Sequence, residues 1–179
     1  MEHLGTNNIE TDRLLLRKWK IEDANDVFCF FGDSSIVPYP YKDVEQTRNE
    51  LESWIKGYEN ISTYEWGIEL KDSKKIIGVI FAMDSSDENK SCKIAFTLSK
   101  SYWNNGYATE ALKYVLRYLI KEVGYNRIQG GHFIDNPASG KVMEKAGMKY
   151  EGTLRQDFMN ADGTLVDSIL YSMIRQDLE

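Results

Sequence analysis

The chain has 179 residues, with 22 Lys and Arg against 28 Asp and Glu, a formal net charge of −6. That length suits one compact domain that can bury a core without disulfides or a structural metal. The acidic balance excludes a general grip on nucleic acid, which needs a basic patch or stripe, but leaves room for one anion held by backbone amides.

Cys29 and Cys92 sit in no C-x-x-C or Cys/His cluster, so neither a metal site nor a disulfide framework is expected. They read as two buried free thiols in a reducing compartment. Met1-Glu2-His3-Leu4-Gly5 has no basic stretch followed by an apolar one, and no apolar run approaches the roughly 20 residues of a membrane span. The expectation is a cytoplasmic protein without membrane contact. Three prolines and no Gly/Ser linker or repeat give a single domain over residues 1–179, with residues 1–9 as a short N-terminal arm.

In chain order, Leu14 to Trp19 reads as a first strand. Asp23 caps a short helix through Val27, Phe28 and Phe31 that stops near Gly32. Val37-Pro38-Tyr39-Pro40-Tyr41 cannot be helical. Asp43 caps a second helix, with Leu51, Trp54, Ile55 and Tyr58 at helical spacing. The period then drops to two. Tyr64 to Leu70 alternates, with one face buried and Glu65 and Glu69 on a polar face. Ile76–Met83 and Cys92–Leu98 follow as strands with polar turns between, an antiparallel meander. A helix from about Ala108 to Val123 carries Leu112, Val115, Leu116 and Leu119 on one stripe. A strand follows from Arg127 to Ile134. Asn136-Pro137 opens another helix, with Val142, Met143 and Ala146 inward and Gly147 at its end. Two closing strands, Lys149–Phe158 and Val166–Ile174, are joined by a turn at Asn160-Ala161-Asp162-Gly163. The order β-α-α-β-β-β-α-β-α-β-β is not a regular βαβαβ wind. It predicts a mixed α+β fold.

Trp103-Asn104-Asn105-Gly106-Tyr107-Ala108 joins a strand to a helix. Such a tight turn points several backbone N–H groups at one place, and the helix N-terminus adds positive partial charge. The small residues Gly106 and Ala108 let a phosphate approach. Without G-K-[ST] this is no NTPase loop, and no G-x-G-x-x-G follows the first strand. What remains is a carrier whose phosphates are held rather than transferred, with coenzyme A the obvious candidate. A single Gly in such a turn can also be only a turn.

Several motifs, in order, carry a resemblance across nearly the whole chain. They are Thr11-Asp12-Arg13-Leu14-Leu15-Leu16-Arg17, Ile77-Gly78, Tyr102 to Ala111, Asn136-Pro137-Ala138-Ser139, Glu144-Lys145-Ala146-Gly147-Met148 and Gly152-Thr153-Leu154-Arg155. Together they resemble the GCN5-related N-acetyltransferases (GNAT), in the RimJ/RimL-type branch of ribosomal-protein-alanine N-acetyltransferases. Asn104 stands where the family often has Gly, and Met148 where it often has Phe. Asn tolerates left-handed backbone better than most residues, and Met is an adaptable apolar replacement.

The resemblance implies a GNAT-like, largely antiparallel sheet of about seven strands flanked by helices. It implies transfer of acetyl from acetyl-CoA directly to a primary amine in a ternary complex. The strand ending at Leu98 would splay from its neighbour and pair with the pantetheine arm. Backbone N–H groups of Asn104, Asn105, Gly106, Tyr107, Ala108 and Thr109 would hold the pyrophosphate, and one near Leu98 would polarise the thioester carbonyl. Asn136 would reach the pantetheine, besides capping its helix. Ser139 is the candidate acid near the sulfur, with His132 as a second catalytic candidate; either residue type in its position also has an ordinary structural reading. No base stands out among Glu65, Glu69, Glu110, Asp135 and Asp157.

The Trp and Tyr residues read mainly as core, with Tyr39, Tyr41 and Trp54 able to line the acceptor mouth. The acceptor is expected to be a protein N-terminal α-amine. A polyamine or aminoglycoside is the alternative, and a non-catalytic acyl-CoA-binding module a further one. The acidic surface favours a cationic acceptor. The expected assembly is a monomer or homodimer.

Overall fold

A computed structural model describes residues 1–160 and 162–178; Ala161, in the turn expected between the closing strands, lies outside the described residues. The elements are β1 (Ile9–Glu10), β2 (Leu14–Arg17), α1 (Ala24–Phe31), α2 (Val44–Gly57), β3 (Glu65–Leu70), β4 (Ile76–Ser86), β5 (Ser91–Leu98), α3 (Tyr107–Arg117), β6 (Arg127–Phe133), α4 (Pro137–Lys145), β7 (Lys149–Met159) and β8 (Leu165–Ile174). The sheet order is β1-β2-β3-β4-β5-β6-β8-β7. Every registered pair is antiparallel except β5–β6, which is parallel.

The mixed fold is as the sequence predicts, with eight strands instead of about seven. The addition is β1, two residues long and too short to leave a periodic signal. It takes Ile9 out of the expected arm and pairs it with Leu16.

The chain forms two compact units. The first holds His3–Phe81 and Phe96–Ala111. The second holds Met1–Glu2, Ala82–Ala95 and the chain from Leu112 onward.

In the first unit, α1 and α2 pack a core of Trp19, Ala24, Val27, Phe30, Leu51, Ile76 and Val79. Asp43 caps α2 as expected, accepting from Gln46 N at 2.8 Å. Asp23 does not cap α1. Its carboxylate accepts from Lys20 N and is gripped by Arg17, whose Nη1 and Nη2 each lie 2.8 Å from it. The Arg17 Nε donates to Glu69 at 2.5 Å. All three side chains are only 8% exposed. Hydrogen bonding to Asp23, offset in part by burial and reinforced by Glu69, holds the guanidinium pKa above its usual value.

The clean alternation expected of β3 is therefore overturned. Its second face is covered too, because Arg17 lies on Glu69 and the Trp19 ring lies over Gly67. A Cβ at Gly67 would stand 2.7 Å from that ring. Cys29 is also corrected. It is exposed, off the Ala24–Val27–Phe30 stripe that α1 buries, whereas Cys92 is buried and its thiol is pushed up to about 12 by burial. Tyr39 and Trp103 depart from the core reading as well, being exposed.

In the second unit, α3 runs into a π-helical turn over Tyr118–Val123, closed by left-handed Gly124 (φ +99°). Leu112, Val115, Leu116 and Leu119 are fully buried, as the stripe predicts. β6 pairs with β8 along its whole length, and α4 packs on β6, β7 and β8. Among the described residues, no helix is long and apolar enough to cross a membrane.

Arg17→Ala leaves two buried carboxylates without their cation, and should cost about 3–5 kcal/mol of stability. Lys93→Ala, at the exposed pair with Asp84, should cost under about 1 kcal/mol. Urea midpoints of the two variants check the contrast.

Candidate active site

The loop after β5 is built in four steps. β5 ends on Leu98, and Ser99 N donates to Ile77 O at 2.9 Å. Gly78 makes this approach possible, since a Cβ there would collide with Thr97 O and stand 3.0 Å from the Leu98 Cα. A 3₁₀ turn over Lys100–Tyr102 follows, and the Trp103 indole returns its Nε1 to Leu98 O at 2.8 Å. Then Asn104 (φ +62°) and Gly106 (φ +81°) both take left-handed backbone and reverse the chain. Asn104 thus adopts the geometry that Asn tolerates and most residues do not. Finally α3 begins at Tyr107. The amides of Tyr107, Ala108 and Thr109 lie in its first turn, where N–H groups lack intrahelical acceptors and the helix end is partially positive.

A long-range clamp fixes this loop. Glu110 accepts from Thr11 Oγ1 (2.5 Å), Arg13 N (3.0 Å), Arg13 Nε (2.7 Å) and Arg13 Nη2 (2.7 Å). Arg13 Nη1 also donates to Asn105 O at 2.9 Å, and its guanidinium lies 4.4 Å from the centre of the Tyr107 ring. Burial alone would raise the Glu110 pKa, but the hydrogen bonds from Thr11 and Arg13 prevail and hold it below the usual carboxylate range. Local reading missed Thr11 and Arg13 as loop residues and gave Glu110 as one of five carboxylates among which no base stands out. The T-x-R motif was the available signal, but its partner stands 97 residues away.

Leu98 and Asn104–Thr109 are thus gathered in the first unit. Asn136, Ser139 and His132 are gathered in the second. Asn136 occupies the N-cap position of α4, but its side chain makes no capping bond; instead Nδ2 donates to Ser139 Oγ at 3.2 Å. Ser139 therefore accepts there and keeps its hydroxyl hydrogen to donate. The His132 Nδ1 donates to Phe133 O at 2.7 Å, and its ring stacks on Tyr171 at 5.9 Å. Its Nε2 faces Gly140, where a Cβ would lie only 2.6 Å away. Of the other carboxylates, Glu69 is spent on Arg17, and Asp157 accepts from Ser168 at 2.5 Å. Among the described residues no group of three His, Cys, Asp or Glu could hold a metal.

A family model described as an acetyltransferase (GNAT) domain matches residues 13–149. The chain is also 31% identical over 171 residues to YoaA of Bacillus subtilis, an uncharacterised N-acetyltransferase, covering 93% of this chain and 96% of that one. The chain belongs to the GNAT acetyltransferase family. Two solved structures share its fold at a TM-score of 0.82 and 19% identity. One is the microcin C7 self-immunity acetyltransferase MccE in complex with acetyl-CoA and AMP, covering 96% of this chain and 98% of that one. The other is the ribosomal-protein-S5-alanine acetyltransferase of Vibrio fischeri, covering 97% and 99%.

The protein is accordingly an acetyltransferase whose acetyl donor is acetyl-CoA. The loop suits a diphosphate. It offers two left-handed residues, one without a Cβ, ahead of three first-turn amides, and its nearest carboxylate is already neutralised by Arg13.

Asn104→Val puts a β-branched residue at φ +62° and should cost roughly 1–2 kcal/mol, with a parallel loss of CoA affinity by calorimetry; Asn104→Gly should retain both. Because the Glu110 pKa is lowered by folding, its contribution is present above the usual carboxylate range and lost as pH falls through its folded value. The stability gap between wild type and Glu110→Gln should therefore narrow on acidification below about pH 4.5, followed by urea midpoints at stepped pH.

Proposed function

We propose that this acetyltransferase acts on a primary amine by direct attack in a ternary complex, and that the acceptor is a protein N-terminal α-amine, as in the RimJ/RimL-type branch. The carrying observation is the loop at Asn104–Thr109, left-handed at two residues and braced by Arg13 and Glu110 ahead of the α3 N-terminus. The ordered motifs of that branch and the likeness to the S5-alanine enzyme support the acceptor class. A polyamine or an aminoglycoside remains the second acceptor class, favoured by the net charge of −6.

In this reading, acetyl-CoA bound at the site supplies an activated thioester. The amides of Asn104, Asn105, Gly106, Tyr107, Ala108 and Thr109 hold its phosphates, and an N–H near Leu98 polarises the carbonyl. Asn136 binds the pantetheine through its Oδ1, which has no partner among the described residues. Ser139 takes a hydrogen bond from Asn136 and presents its O–H as the acid for the leaving thiolate. His132 stands beside α4 as the second catalytic candidate. With its Nδ1 committed to Phe133 O, its contribution comes through Nε2 and the seat it gives Gly140. The protein works in the cytoplasm as a monomer or homodimer.

Thiol release from acetyl-CoA with a panel of amines tests this. Ala- and Ser-initiated peptides should be acetylated at the α-amine, and Ser139→Ala should lower turnover by about 10²-fold with CoA affinity kept. Release with polyamines alone would move the acceptor to the second class. CoA binding without release for any amine would overturn the reading.

A further inference from the structure

β3 carries two carboxylates on one face, Glu65 and Glu69, with Gly67 between them. Glu69 is matched by Arg17. Glu65 is not. Among the described residues its carboxylate has one hydrogen-bond donor, Trp19 Nε1 at 2.7 Å, and no cation pairs with it. It is nevertheless half-buried. Burial raises its pKa, and the Trp19 hydrogen bond offsets only part of that. A carboxylate offers about four lone-pair sites, and an unpaired charge is costly to bury. The fold spends a cation on Glu69 and withholds one from its neighbour.

The surroundings are aromatic and only partly closed. Phe81 is the cross-strand partner of Glu65 on β4. Tyr58, on α2's C-terminal side, donates its hydroxyl to Glu65 O at 2.9 Å. Trp19 lies 5.6 Å from Trp54, Trp54 lies 5.6 Å from Phe31, and Phe31 stacks on Tyr41 at 5.2 Å. Tyr41, Trp54, Tyr58 and Phe81 are all half-buried. The charged groups around them are Glu50, which with Glu65 acts on the Tyr41 hydroxyl, Lys18, whose ammonium lies 5.0 Å from the Tyr58 ring centre, and the Arg17–Asp23 pair near Tyr58. Burial is the main cause that raises the Tyr41 pKa, to about 12, so this hydroxyl stays neutral. A carboxylate without a matching cation attracts one, and nearby aromatic rings can add to that attraction.

We propose that Glu65, hydrogen-bonded to Trp19 at one end of this chain of aromatic rings, is the acceptor-side residue of this enzyme, which binds the ammonium form of the amine and takes its proton. This rests on the amine-acetylation reading above. One N–H bond of the ammonium breaks and its proton passes to the Glu65 carboxylate. The nitrogen keeps the electron pair as a neutral amine, and the carboxylic acid returns the proton to water. This aromatic cluster belongs to the same unit as Leu98 and the Asn104–Thr109 loop. It suits a primary ammonium that has no carboxylate of its own nearby, because Glu50 and Glu65 would repel one. A peptide N-terminus or a polyamine qualifies, and a free amino acid does not.

Glu65→Gln tests this while keeping an oxygen for Trp19 Nε1. Calorimetry with CoA should be unchanged. Calorimetry with spermidine and with an Ala-initiated peptide amide should show binding of one or both by the wild type, weakened at least about tenfold in the variant. With the amine that turns over, kcat/KM should fall by about 10²-fold, and the acidic limb of its pH profile should vanish. Stability at pH 7 should hold or rise, since a carboxyl whose pKa is raised by folding loses its favourable contribution as pH rises through that value. Equal amine affinity in both proteins, or an unchanged kcat/KM and acidic limb, overturns the proposal. Amine binding by the wild type with no thiol release for any amine would sink the acetylation reading alone and leave the binding site standing.

Discussion

The carboxylate of Glu110 is the point on which the Asn104–Thr109 loop depends. It sits on the first turn of α3 and collects the Thr11 hydroxyl, the Arg13 amide and two guanidinium nitrogens of Arg13. Arg13 then reaches on to Asn105 O. The start of β2, the loop and the start of α3 are thereby tied to one another. Two left-handed residues in a row of three would not hold one shape by themselves, because a non-glycine residue there is strained unless its surroundings over-determine it. The clamp supplies that surrounding from outside the loop. It leaves the amides of the first turn to face a ligand.

The two arginines of the T-x-R-L-x-L-R segment do different work four residues apart. Arg13 is half exposed and braces the loop. Arg17 is buried and joins β2, the 3₁₀ turn at Ile21–Asp23 and β3 through Asp23 and Glu69. Only a planar fork with several donors can serve two carboxylates and the Lys18 carbonyl at once. A lysine in either place would lose the bidentate geometry.

What local pattern could reveal, it revealed. The left-handed demand at Gly106, the tolerance of Asn104, the cap at Asp43 and the buried stripe of Leu112 to Leu119 all depend on neighbours within a turn or two. What failed depended on which of several partners a side chain takes, which spacing alone does not rank. β3 alternates in sequence, yet its polar face is covered by Arg17 and Trp19, which arrive from β2 and the residues after it. Asp23 looked like a helix cap and became a ligand of Arg17. Asn136 looked like a cap and instead donates to Ser139. Asp23 left its local use for a partner of full charge six residues back, and Asn136 for a hydroxyl three residues on.

The net charge of −6 acquires a more specific meaning from these contacts. An acidic protein that must hold a polyphosphate cannot rely on its overall field. In the proposed reading it uses oriented amides and a helix end, whose attraction is short-ranged and stays local. The basic side chain nearest that loop is already neutralised by Glu110. The acidic field is then left for the other substrate. In the first unit every deeply buried carboxylate is matched by a cation, and the half-buried Glu65 is not. Long-range attraction draws a cation to the surface, and the proposal seats it at the uncompensated carboxylate of Glu65. In that reading the two substrates meet opposite physical devices, one an arrangement of dipoles without net charge and the other a charge without a counter-charge.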